Sequence, residues 1–514
     1  MSARVVPVRA KRPRQRIELK PAASCALVIF GASGDLTERK LMPALYELHR
    51  GGYLDGCFAI LGVARSDLSE SEYRTSMRKA VAKERGGDLD RESWDSFAER
   101  LHFMPADLTD SQTYPALRKR LADVGADDPR AGNQLYYFAV PAALMADIVD
   151  GLAAVDLTAQ GEGWTRIVVE KPFGSDLRSA RELNRRIAGH FEENQVFRID
   201  HFLGKETVQN ILAFRFSNTL FEPVWNRNTI DYVEITAAET LGIGERAGFY
   251  EKTGALRDMM ANHMLQLLTL TAMEPPGAYD PDAVREEKVQ VLKSIRPMTH
   301  DEVSERAVRG QFGSGRVDGR KVPGYREIEG VASDSVTDTY VAVELRIDNW
   351  RWGGVPFYLR TGKRLRRTVF EIAVHMKPTP SALFQGDETV TPNVIVMRMK
   401  PDQGIDVTFS AKVPGEEMKT TGVRMEFDYE KTFGVEIPEA YETLLLDAIE
   451  GDTTHFLRAD EVEAQWALID PIAEAWAGVP PADFPNYAAG GEGPETAARL
   501  VARNGHAWRS LEED

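Results

Sequence analysis

Between residues 25 and about 200, the short apolar runs CALVIF, CFAILGV, LYYFAV, RIVVE and VFRI alternate with longer segments whose apolar positions recur at helical spacing. That alternation predicts βαβ units around a parallel sheet, because parallel neighbours need a crossover long enough to hold a helix. Beyond residue 205 the texture changes. DYVEITAAE, TYVAVELRI and VIVMRMK alternate apolar and polar positions, and Gly/Pro loops fall near 276–282 and 309–324. An antiparallel sheet with helices against it fits that pattern. The expected division is a tail over 1–20, a first domain over 21–200 and a second over 201–514.

At 514 residues the chain exceeds the roughly 250–300 at which single cores stop growing, which also predicts two domains. Its 43% hydrophobic and 28% charged residues are those of a globular protein. The net charge of −16 makes nucleic acid and anionic membranes poor partners. Residues 1–20 run the other way, with seven basic residues against Glu18. That tail reads as a solvated arm or as a docking arm for a polyanion. The two cysteines, Cys25 and Cys57, each begin an apolar run and read as packing residues, which excludes a disulfide framework. No run approaches the roughly 18 apolar residues of a membrane span, and Ala26 to Phe30 is too short for a signal-peptide core. A soluble protein of the reducing cytoplasm is expected.

Strand CALVIF runs into Gly31-Ala32-Ser33-Gly34-Asp35-Leu36, followed by a helix-like segment ending near Arg50. Small residues at a strand-to-helix turn let backbone amides approach a pyrophosphate at the positive end of the helix dipole. The turn alone also reads as purely structural, and Leu36 stands where GxGxxG would have its third glycine. AILGVARSD places Arg65 where NAD-preferring sites carry an acid for the ribose 2′-hydroxyl. An arginine there suits a 2′-phosphate and favours NADP, although Asp67 keeps NAD use open and a solvated surface arginine is the plainer alternative. In Glu170-Lys171-Pro172-Phe173-Gly174, Lys171 follows strand RIVV and should point into the crevice, unless it is a surface lysine in a Pro-Gly turn.

The segment Arg198-Ile199-Asp200-His201-Phe202-Leu203-Gly204-Lys205-Glu206 joins the last strand of the first region to a helix expected near Gly204. His201 and Lys205 flank that N-terminus, where free amides, the dipole and a cation make an anion site. A backbone-capping role for His201 is the alternative. Downstream, Gly254-Ala255-Leu256-Arg257-Asp258-Met259-Met260-Ala261-Asn262-His263 opens an apolar helix running to about Ala272, in which His263 is either a core residue or a functional one. Asp258 and His263 are five apart, about 140° on an α-helix, so a carboxylate partner for His263 is expected from elsewhere, with Asp200 the candidate. Oxidising an alcohol removes a hydroxyl proton as hydride leaves the same carbon, and an imidazole steadied by a carboxylate suits that base role. Near residue 350, Ile347 to Arg367 interleave aromatics with six basic residues. One reading places Lys363 against substrate oxygens; the other is an amphipathic strand with a solvated basic loop. Net charge argues against a nucleic-acid surface.

In order and spacing, GASGDL, GVARS, EKPFG, RIDHFLGKE, GALRDMMANH and IDNWRWGGVPFYLRTGK closely resemble the glucose-6-phosphate dehydrogenases, over roughly residues 25 to 500. The resemblance implies an α/β Rossmann-type dinucleotide-binding domain followed by an α+β domain with a large, mainly antiparallel sheet that joins subunits into a homodimer or homotetramer. It implies oxidation of D-glucose 6-phosphate to 6-phospho-D-glucono-1,5-lactone with NADP⁺ and no metal. At matching positions, His263 resembles the base and Asp200 its carboxylate. His201 and Lys205 resemble the phosphate binders, Glu239 and Asp258 acceptors for sugar hydroxyls, and Lys363 a further substrate contact. Gly31, Ala32, Ser33, Gly34, Asp35, Leu36, Arg65 and Lys171 resemble the cofactor contacts, with Lys171 also near the reacting carbon.

The sequence departs from the family twice. Phe202 stands where the family often has tyrosine, and Thr368 where it commonly has a basic residue, with Arg367 the candidate substitute. The rival readings are a related dehydrogenase of an unphosphorylated sugar and a non-catalytic, cofactor-binding relative. Two potential cations, His201 and Lys205, speak against the first, and His263, Asp200 and Lys171 together speak against the second.

Overall fold

The computed structural model describes residues 23–54, 58–124, 132–161, 163–244, 246–379, 391–415, 419–434 and 438–512. The basic tail over 1–20 and Cys57 lie outside them. Six strands, β1 (Ala26–Phe30), β2 (Ala59–Ala64), β3 (Leu101–Pro105), β4 (Gln134–Phe138), β5 (Thr165–Val169) and β6 (Val196–Ile199), pair in parallel in the order β3-β2-β1-β4-β5-β6. This is the doubly wound order, with a ligand crevice where β1 and β4 lead apart. The apolar runs are continuous because both faces of the sheet are covered. Val28 and Phe30 enter one core, and Leu27 and Ile29 enter the other. Cys25 packs at the foot of β1, where burial pushes its thiol up to about 12 and leaves it unreactive.

The expected helix after the glycine turn begins as a π-helical turn, Thr37–Leu41, and continues as α1 (Met42–Arg50). The helix expected near Gly204, α2 (Glu206–Phe216), starts two residues later, with Lys205 as its N-cap. The apolar helix beyond it is α3 (Leu265–Ala272), preceded by a nine-residue π-helical stretch, Leu256–Met264. Gly254 turns the chain into that stretch at φ +60°, and a Cβ there would lie 2.6 Å from Asp338 Oδ1. The Asp338 carboxylate in turn accepts a hydrogen bond from the Leu256 amide at 2.8 Å.

The second sheet has eight strands: β7 (Ile230–Ala238), β8 (Ala307–Gly310), β9 (Tyr340–Arg346), β10 (Pro356–Gly362), β11 (Val369–Met376), β12 (Val394–Lys400), β13 (Gly404–Lys412) and β14 (Thr420–Asp428). Their order is β14-β13-β12-β11-β7-β10-β9-β8, and every neighbouring pair is antiparallel except β7 with β10. The mainly antiparallel expectation therefore has one exception, and that exception lies at the site. The chain later returns to the first sheet through α4 (Ala440–Glu450) and the short strand β15 (Phe456–Leu457), which pairs antiparallel with β6. Among the described residues no helix is long and apolar enough to cross a membrane.

Candidate active site

A cleft of about 780 Å³ runs between the two sheets, from Asp35 and Leu36 after the glycine turn to Lys205, Lys363 and Lys400 at its far end. Strand ends supply most of its chemistry. Lys171 follows β5 and Asp200 and His201 follow β6, so two adjacent parallel strands deliver three groups from their carboxyl ends. The parallel pair in the other sheet does the same. Ala238 and Gly362 are in register, so Glu239 and Lys363, each one residue beyond a strand, form an ion pair across 124 positions of sequence.

The π-helical stretch supplies the rest. In a π-helix, residue i bonds to i+5, which stacks residues five apart on one face. The α-helical expectation of about 140° between Asp258 and His263 is therefore corrected: both side chains face the cleft, and Lys171 Nζ reaches both. Nζ lies 2.7 Å from His263 Nε2, 3.4 Å from Asp258 Oδ1 and 3.3 Å from the Asp258 carbonyl. Burial alone would raise the Asp258 carboxyl, but Lys171, Lys363 and Arg246 hold it at about 2.

The structure brings Asp200 and His263 together, with Oδ1 2.5 Å from Nδ1 and both side chains 1% exposed. An ammonium is only a donor, so His263 Nε2 must accept from Lys171, and the imidazole proton then sits on Nδ1 and points at Asp200. Asp200 Oδ1 also accepts from the Phe202 amide at 2.9 Å. Phe202, in place of a tyrosine, stacks on His263 with centroids 4.2 Å apart and planes 16° from parallel. It thus fixes the imidazole plane by packing and contributes no hydroxyl. Burial and Lys171 depress the His263 pKa below the usual imidazole value, and Asp200 opposes them. The ring is neutral at physiological pH, as a base must be. Asp200, His201 and His263 place ligand-type atoms within 4.8 Å of one another, yet both His263 nitrogens are already bonded, to Asp200 and to Lys171.

Lys205 is the N-cap residue of α2, and its ammonium lies 3.6 Å from the centroid of the Phe202 ring. Burial and repulsion from Lys400 lower it to about 8, against the pull of Asp200, Glu439 and Glu239. His201 also lines the cleft, but its expected contribution as a second cation is corrected. Burial and then His263, Lys171 and Lys205 push its pKa well below the ordinary value, so it meets a ligand as a neutral donor. Thr368 turns away, accepting from the Thr240 amide at 3.0 Å and bonding its hydroxyl at 2.9 Å. The expected substitute, Arg367, is not among the residues lining the cleft.

On the dinucleotide side, Gly31 has φ +87°, and a Cβ would stand 2.1 Å from the Ala139 carbonyl oxygen. Only glycine fits that turn. Ser33 bonds Ser66 at 2.9 Å, which ties the ends of β1 and β2 together and places the exposed Arg65 beside the turn, outside the main cleft. Beneath Lys171, Glu170 is buried and accepts from the Tyr137 and Tyr441 hydroxyls at 2.6 and 3.1 Å. Tyr441, Arg246 and Lys400 were not legible as site residues. Lys400 alone left a trace in the sequence, as a cation closing an apolar strand before Pro401. The aromatic and basic run near 350 is divided. Trp352 is buried and bonded to the Ala272 carbonyl, Arg351 is paired with Glu222, and Arg366 with Glu512.

Comparison with known proteins agrees with this architecture. Residues 28–210 match the model of the glucose-6-phosphate dehydrogenase NAD binding domain, and 212–509 that of its C-terminal domain. The chain is 44% identical to glucose-6-phosphate 1-dehydrogenase of Aggregatibacter actinomycetemcomitans over 490 residues, covering 95% of this chain and 98% of that protein. Against the Chlamydia pneumoniae enzyme of the same name it is 44% identical over 495 residues, covering 95% and 96%. A solved glucose-6-phosphate dehydrogenase in complex with glucose 6-phosphate superposes with a TM-score of 0.86 at 34% identity, covering 96% of this chain and all of that one. The Mycobacterium avium glucose-6-phosphate 1-dehydrogenase structure gives 0.79 at 35% identity, with the same coverage. With both halves matched in sequence and in fold, the chain belongs to the glucose-6-phosphate dehydrogenase family.

Proposed function

We propose that the protein oxidises D-glucose 6-phosphate at C1 to 6-phospho-D-glucono-1,5-lactone, the first step of the oxidative pentose phosphate pathway, using a nicotinamide dinucleotide and specifically NADP⁺. The observation that carries this reading is the hydrogen-bonded chain Asp200, His263, Lys171, opening onto a cleft that joins the glycine turn to Lys205. When bound, the dinucleotide supplies the acceptor for the C1 hydride. The turn from Gly31 to Leu36 suits its pyrophosphate, because Gly31 leaves no Cβ between the backbone and the β1/β4 crevice.

The residues divide the remaining work. His263 Nε2 takes the C1 hydroxyl proton as the C1–H bond breaks and the carbonyl forms, and Asp200 stabilises the imidazolium. Lys171 holds the Nε2 lone pair until the sugar hydroxyl replaces it, then turns to Asp258, already within 3.4 Å. Asp258 and Glu239 accept from sugar hydroxyls, and Lys363 steadies Glu239 and reaches the substrate. Lys205, with His201 donating, receives the phosphate. A homodimer or homotetramer joined through the large sheet belongs to the same reading, and Met425, 48% exposed on edge strand β14, suits a partner surface.

An enzyme for an unphosphorylated sugar has no use for a largely buried ammonium at that end of the cleft. kcat/KM for glucose 6-phosphate is therefore expected to exceed that for glucose by about 10³-fold or more, as for a site whose charged group is left unpaired by the wrong ligand. Comparable values in an NADPH absorbance assay refute the phosphate pocket. For the coenzyme, Arg65→Ala is expected to raise KM for NADP⁺ about 10- to 100-fold and KM for NAD⁺ less than threefold, since a charge-assisted contact to a 2′-phosphate is lost. Equal changes for both coenzymes rule out that contact.

A further inference from the structure

The phosphate end of the cleft has a gap in its charge. Thr368 is spent on Thr240, and Arg367 does not line the cleft. Lys400 does line it. It is the last residue of β12 and stands in register with Phe370 of β11, at the same sheet end as Glu239 and Lys363. The Lys205 and Lys400 ammonium groups lie over that one Phe370 ring, 5.3 and 5.9 Å from its centroid. Among the described residues no carboxylate forms an ion pair with Lys400. Two like charges held beside one aromatic ring repel, and an anion between them removes the repulsion.

We infer that Lys400 is the second cation for the 6-phosphate, supplying from β12 the charge that Thr368 lacks on the loop before β11. This rests on the proposed substrate and sharpens it, because it predicts a preference for a dianionic phosphate over other anionic groups at that end. Lys205 alone is a single partly neutralised ammonium, and His201 is uncharged. The pair Lys205 and Lys400 matches a dianion in charge. The Phe370 ring beside them supplies no competing anion, and Lys400, more exposed than Lys205, contributes the smaller share.

Steady-state kinetics of Lys400→Gln test the assignment. KM for glucose 6-phosphate is expected to rise about tenfold, by loss of one charge-assisted contact in a partly exposed position, and more than kcat falls. Lys400→Arg should keep KM within about threefold of wild type. A second readout is independent of substrate contact. Lys205 is faced by Lys400, His201, Asp200, Glu239 and Glu439, and Lys400 is the one cation the variant removes. The alkaline fall of kcat/KM should therefore move to higher pH in Lys400→Gln. If KM stays within twofold and the alkaline limb does not move, Lys400 is not part of the phosphate site. A parallel rise in KM for NADP⁺ and for glucose marks a structural role and equally overturns the assignment. Wild-type enzyme that fails to distinguish glucose 6-phosphate from glucose brings down the substrate reading itself; one that distinguishes them while Lys400→Gln behaves as wild type brings down Lys400 alone.

Discussion

His263→Asn is expected to lower kcat about 10²- to 10⁴-fold, with KM for glucose 6-phosphate changed severalfold at most. Asparagine can still donate toward Asp200 and fill much of the space beside Phe202, but it cannot take a proton. The loss should therefore fall on the chemical step and not on binding. The pH dependence gives a second check. Burial and Lys171 lower the His263 pKa while Asp200 raises it, so the ring loses its proton below the usual imidazole range. The base form is present above that pKa, and activity should fall as pH drops through it. In Asp200→Asn the supporting charge is gone, so the acid limb should move to still lower pH while kcat drops. A His263→Asn enzyme within tenfold of wild-type kcat, or an acid limb that moves upward in Asp200→Asn, contradicts the assignment of the base.

The second large effect is expected at Lys205. Lys205→Ala removes a charged partner from an enclosed site, which costs about 1.5–3 kcal/mol, or roughly 10- to 150-fold in KM for glucose 6-phosphate. The amine is held at about 8 by burial and by Lys400. It carries its charge below that value and loses it above, so kcat/KM of the wild-type enzyme should decline as pH rises past about 8. Lys205→Arg stays charged throughout and should abolish that decline even if its KM is altered. An alkaline limb that persists in Lys205→Arg assigns the titration to another group.

The elements most legible in the sequence are those with local causes. CALVIF is apolar throughout because the parallel sheet is covered on both faces, and Gly31 is glycine because its turn has φ +87° and Ala139 presses against it. Lys171 could be placed because parallel strands deliver their carboxyl-end residues to one crevice, and His201 because it flanks a helix N-terminus. Three features of the site were not legible. The pairing of Glu239 with Lys363 requires β7 and β10 to be parallel neighbours inside an otherwise antiparallel sheet. The shared face of Asp258 and His263 requires a π-helix, and apolar spacing over so short a stretch does not distinguish that period from the α-helical one. The neutrality of His201 follows from burial beside other positive groups contributed by separate parts of the chain.

A crystal structure with glucose 6-phosphate bound tests the roles of His263 and Lys205 together. The C1 hydroxyl oxygen should lie within about 3 Å of His263 Nε2, with the Lys171 ammonium shifted toward Asp258 and the phosphate against Lys205. A sugar whose C1 faces away from the imidazole, or a phosphate seated at the glycine turn, contradicts those roles.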